Sequence, residues 1–94
     1  MDKYEFNIKV EQIKKMVSRG DNETAMKIAD TIDWHRVRNA SLLSMIAEIY
    51  EKNKEYQEAK DILLLAFERA PIGKRLLYKL TDEDVYFQIF LFLI

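Results

Sequence analysis

Apolar residues recur along this chain at steps of three and four, with only two Gly and one Pro in 94 residues to interrupt them. That spacing puts them on one face of a helix, and it leaves little room for any other element. Phe6, Val10, Ile13 and Val17 form a first stripe, and Gly20 stops that helix while Asp21 can cap the next. Ala25, Ile28, Ala29 and Ile32 form a second stripe, followed by a break at Asp33-Trp34. A third helix is predicted from about Arg36 to Asn53, turning Leu42, Leu43, Met45, Ile46, Ile49 and Tyr50 inward. After the polar turn Asn53-Lys54-Glu55, a fourth carries Tyr56, Ala59, Ile62, Leu63, Ala66 and Phe67 and is ended by Pro71 and Gly73. A fifth covers roughly Lys74 to Leu80. The connections are short, so consecutive helices are expected to run antiparallel as hairpins. The expected fold is all-α, with about five helices in a single domain.

Composition narrows the function. Acidic and basic residues nearly cancel, leaving a formal charge of −1, whereas a protein that grips a phosphate backbone carries a basic excess. With no cysteine there is no disulfide, no thiolate nucleophile and no Cys-ligated metal. His35, the only histidine, has neither a nucleophile nor further ligands at a useful spacing. These features argue against an enzyme and against a cofactor or metal site. The N-terminal residues lack the basic and apolar regions of a secretory signal, so a cytoplasmic protein is expected.

The sequence also repeats itself. An offset of 34 residues lays Ala59 on Ala25 and Ile62 on Ile28, and sets Gly20-Asp21-Asn22-Glu23-Thr24-Ala25 over Lys54-Glu55-Tyr56-Gln57-Glu58-Ala59. Residues 40–73 carry a large residue (Leu43), an apolar and a small one (Ile46-Ala47), an aromatic (Tyr50), then Tyr56, Ala59, Leu63, Ala66 and Pro71. In this the segment resembles a tetratricopeptide repeat. Its small residues let helix backbones approach, and its large ones fill the gaps between neighbouring pairs. Residues 6–39 resemble a degenerate copy, with Asn22 where the aromatic belongs. Residues 74–94 begin a partial third unit, in which Thr81 and Asp84 depart from the pattern. The whole resembles the N-terminal part of longer bacterial proteins of this repeat family, which would make the chain a truncated member.

The resemblance implies a short α-solenoid that acts as a scaffold for a protein or peptide partner, its concave face lined by the first helix of each pair. By position, that face would present Ser41, Ser44, Met45, Glu48 and Lys52 from the clear repeat, and Asn7, Glu11, Lys14 and Ser18 from the degenerate one. Some relatives hold a peptide's terminal carboxylate with paired Lys and Asn; Ser, Met and Glu do not reproduce that clamp.

Two other features compete for attention. Trp34 and His35, followed by Arg36 and Arg38, form either an aromatic-basic patch for an anion or RNA bases, or a packed Trp34 under the second and third helices with solvated Arg side chains. The packed arrangement is the expectation. Lys74, Arg75 and Lys79 give a basic edge and Glu48, Glu51, Glu55 and Glu58 an acidic one, both expected to be solvated.

Residues 85–94 (Val-Tyr-Phe-Gln-Ile-Phe-Leu-Phe-Leu-Ile) hold one polar side chain. They are too few to span a bilayer, which needs about 20 apolar residues. A repeat array normally ends in a helix with a polar outer face. A final helix capped by Thr81 and Asp84, an extended strand, or the scar of a truncated frame would each account for this run. Homo-oligomerisation through Val85–Ile94 is the expectation, and a self-associating structural protein is the alternative function.

Overall fold

A computed structural model supplies the structure, which describes residues 1–70. The described residues are helical with no strand: α1 (Lys3–Ser18), α2 (Asn22–Ala29), α3 (Ala40–Lys52), α4 (Tyr56–Arg69), and a short 3-10 turn at Trp34–Arg36. The expected fifth helix, the partial third unit and the apolar tail lie outside the described residues. Met1–Asp33 form one compact unit, and Trp34 opens a second. In the first, α1 packs on α2; in the second, α3 packs on α4, and the 3-10 turn also packs on α4.

Side-chain caps set most of the helix starts. Asp2, Asp21 and Asn39 each accept a hydrogen bond from the backbone N–H three residues on, at 2.7, 3.0 and 3.1 Å. Asn39 corrects the expected start of the third helix from about Arg36 to Ala40. Arg36 belongs instead to the 3-10 turn, whose Trp34 carbonyl accepts from the Val37 N–H at 3.1 Å. Helix α2 ends at Ala29, yet Ile32 remains buried. There the chain tightens, with the Thr31 N–H donating to Ile28 and the Ile32 N–H to Ala29. Helix α4 gives way at Ala70, which is extended (φ −68°, ψ 139°) because it precedes Pro71.

The turn after α1 and the turn after α3 have the same construction. After α1, Gly20 has φ +77°, its N–H donates to Val17, and the next N–H, of Asp21, reaches back to Met16. After α3, Lys54 has φ +64°, its N–H donates to Glu51, and that of Glu55 reaches back to Tyr50. Each is a Schellman closure, satisfying carbonyls that a helix end would otherwise leave open. Corresponding atoms are 34 residues apart throughout, the offset of the sequence repeat.

The apolar stripes become the core. In the first unit Val10, Ile13, Ala25, Ala29 and Ile32 are buried, while Phe6, Val17 and Ile28 are half-buried. In the second, Leu43, Ile46, Ala47, Ile49, Tyr50, Ala59, Ile62, Leu63 and Ala66 are buried, while Leu42, Met45, Tyr56 and Phe67 are half-buried. Lys9 also ties α1 to the residues after α2, its Nζ donating to Thr31 Oγ1 at 2.9 Å.

The two turns differ in how well the residue suits the backbone. The left-handed conformation carries no penalty for Gly but costs an L side chain about 1–2 kcal/mol. Nothing lies within 4 Å of a Cβ built on Gly20, so a side chain there meets only the backbone penalty. Lys54→Gly is therefore expected to raise stability by about 0.5–1 kcal/mol, after allowing for the greater freedom of an unfolded Gly. Gly20→Ala is expected to lower it by about 1 kcal/mol. Urea unfolding followed by circular dichroism checks both; a lower midpoint for Lys54→Gly would refute this account of the turn.

Candidate functional site

The residues expected to face a partner fall into two sets, one in each unit. In the first, Asn7, Glu11, Lys14 and Ser18 are all exposed on α1. They line one shallow recess with Tyr4, Ile8, Gln12 and Lys15. Tyr4 and Ile8 are the apolar part of this surface, 76% and 41% exposed, and Lys14 pairs with Glu11 at 3.7 Å. Ile8 lies two residues before buried Val10, nearly the opposite side of the helix, which is why it points out. That offset is visible in the sequence and marks it as a surface apolar residue.

In the second unit, Ser41, Glu48 and Lys52 are exposed on α3, whereas Ser44 and Met45 are half-buried. Glu48 and Lys52 form an i,i+4 pair at 3.3 Å. The Ser44 hydroxyl is buried and makes no hydrogen bond among the described residues. Of this set, then, Ser41, Glu48 and Lys52 are the side chains a partner could reach directly.

Trp34 is only 5% exposed, while His35, Arg36 and Arg38 are exposed. The indole therefore belongs to the packing, and stacking on a base is not open to it. A feature that sequence reasoning missed holds this segment. From the last turn of α4, Arg69 donates from Nε to the Val37 carbonyl and from Nη2 to that of His35, both at 2.7 Å. The acceptors are backbone atoms some thirty residues away, so no residue type announces them. His35, Arg36, Arg38, Glu68 and Arg69 together line a second recess.

Compared with known proteins, the chain matches no family model, no curated protein and no solved structure.

Among the described residues no three His, Asp or Glu side chains cluster as a metal site would need, and no helix is long and apolar enough to cross a membrane. Two carboxyls among the described residues are perturbed. Asp21 lies below its ordinary value because of its hydrogen bonds with Thr24 at the start of α2. Glu51 lies above its ordinary value, first because burial penalises its charge and then because Glu48 is close by, with Lys52 opposing.

The raised Glu51 fixes the sign of a pH effect. The fold favours the protonated acid, so this contribution is complete below the ordinary carboxylate range and is lost as pH rises through the raised value. At neutral pH the ionised group is a net cost. Glu51→Gln is expected to raise the thermal midpoint at neutral pH and to leave it unchanged at about pH 3.5, where the carboxyl is already neutral. A substitution that lowers the neutral midpoint would contradict the assignment.

Proposed function

We propose that the chain is a non-enzymatic protein-protein interaction module of tetratricopeptide-repeat type. The observation that carries the reading is the pair of turns at Gly20 and Lys54, which share one hydrogen-bond pattern at an offset of 34 residues. A period of that length joining two helices is the signature of this repeat class. Further support comes from Ala47, Ala59 and Ala66, which are buried, as close approach of helix backbones requires. Tyr50 and Leu63, the gap-filling residues of the pattern, are buried as well.

In this reading α1 with α2, and α3 with α4, are antiparallel hairpins of a short α-solenoid. The first helix of each hairpin would face a peptide, so the exposed α1 and α3 residues are the contact surface. Binding would rest on a rigid surface and involve no chemistry. On α3, Glu48→Lys reverses the charge at the centre of the accessible set. A pull-down from lysate, with identification of what is retained, tests this: the wild type is expected to hold a defined partner and Glu48→Lys to lose most of it. Equal retention by both, or no defined partner, would count against the reading.

The second reading is a self-associating structural protein, favoured by the apolar run Val85–Ile94. Light scattering separates the two. Under self-association the full chain is an oligomer and deletion of residues 85–94 converts it to a monomer. A full chain that stays monomeric at high concentration excludes it.

A further inference from the structure

The recess at the end of α4 has an unusual charge balance. Among the described residues it is lined by three guanidinium groups (Arg36, Arg38 and Arg69) and one carboxylate (Glu68), with His35 beside them. Arg69 spends two N–H groups on the carbonyls of His35 and Val37, which are dipoles and leave its charge uncancelled. Neither Arg36 nor Arg38 is paired with a carboxylate among the described residues. Among the described residues a positive surplus therefore survives there, on a chain whose overall formal charge is −1. It is also held in place. Trp34 is buried, and the two carbonyl contacts from Arg69 fix the backbone on which Arg36 and Arg38 stand.

We infer that this recess binds a short acidic peptide segment, its carboxylates engaging Arg36 and Arg38. Guanidinium forks match carboxylates in geometry, and charge-assisted hydrogen bonds are the strong ones. A peptide fits better than a nucleic acid for two reasons. The only indole is buried and offers no stacking platform, and among the described residues the basic side chains of the recess form one local group rather than a tract following a phosphate backbone. The site shares no residue with the exposed faces of α1 and α3. Its test and the pull-down on Glu48→Lys can therefore fail separately.

The experiment uses the full chain, fluorescein-labelled hexaglutamate and anisotropy at low salt. Saturable binding is expected, weakened about tenfold by Arg36→Ala and by Arg38→Ala and unchanged by Lys27→Ala on the exposed face of α2. Glu68→Gln is expected to tighten binding severalfold by removing the one carboxylate that lines the recess among the described residues, a gain that unfolding cannot imitate. Absence of binding by the wild type, an equal loss in Lys27→Ala, or no gain in Glu68→Gln would overturn the inference. So would labelled oligothymidylate binding as tightly as the peptide.

Discussion

Two backbone reversals in the left-handed region, at Gly20 and Lys54, are the constraint on which the rest of the described structure depends. Each closes a helix by returning two N–H groups to its last carbonyls, and each delivers the chain into the next helix after a single capping residue. Without such a reversal α1 would continue past Ser18 and α3 past Lys52, and the apolar stripes of successive helices would never meet. Most helical stability in proteins comes from that meeting of faces, because short helices are marginal alone in water. Residue choice at the two turns nevertheless differs. The first has Gly followed by Asp, which accepts from Thr24; the second has Lys followed by Glu, which makes no cap hydrogen bond. The second turn therefore depends more on the packing around it. It also has more to draw on, since Leu43, Ile46, Ile49, Tyr50, Ile62 and Leu63 are all buried there.

Small residues decide how closely the helices pack. Ala25 and Ala29 on α2, and Ala59 and Ala66 on α4, are almost wholly buried one or two turns apart. An alanine at such a position brings little apolar area of its own, but it admits the larger side chains of the facing helix. Ile13 in the first unit and Leu43 and Ile46 in the second are fully enclosed. At about 25 cal/mol per Å2 of apolar surface removed from water, those large side chains supply the main driving force. This explains why the repeat is legible through its alanines: they are the positions where a larger residue would force the helices apart.

Periodicity made the four described helices readable because spacing of three and four has one physical meaning. Ala25 and Ala29, Leu43 and Ile46, and Ala59 and Leu63 are all legible as inward-facing from their spacing alone. Boundaries were less legible where local hydrogen bonds compete with the stripe. The third helix begins at Ala40 because the Asn39 side chain caps it, and Trp34 to Arg36 turn more tightly. Among the candidate contact residues, Asn7, Glu11, Lys14 and Ser18 share a surface because they recur at helical steps. Ser44 follows the same logic on α3, yet its hydroxyl is buried. A small side chain beside buried Leu43 is easily covered by its neighbours, and spacing alone does not measure that. The Arg69 contacts could not be read at all, since their acceptors are main-chain oxygens brought near only by folding.

The burial of Trp34 links packing to recognition. With the indole outside, the segment from Trp34 to Arg38 would combine an aromatic surface with cations, which suits bases as well as anions. With the indole inside, the segment is anchored by its packing and presents Arg36 and Arg38 without that large stacking surface. Anchoring matters because an Arg on a mobile loop must give up both backbone and side-chain freedom when it binds, and that entropy is subtracted from affinity. Here the 3-10 turn packs on α4, and Arg69 holds the His35 and Val37 carbonyls, so the backbone part of that cost has already been met in folding. One aromatic side chain, placed for packing, thereby removes one class of ligand and makes the remaining class easier to hold.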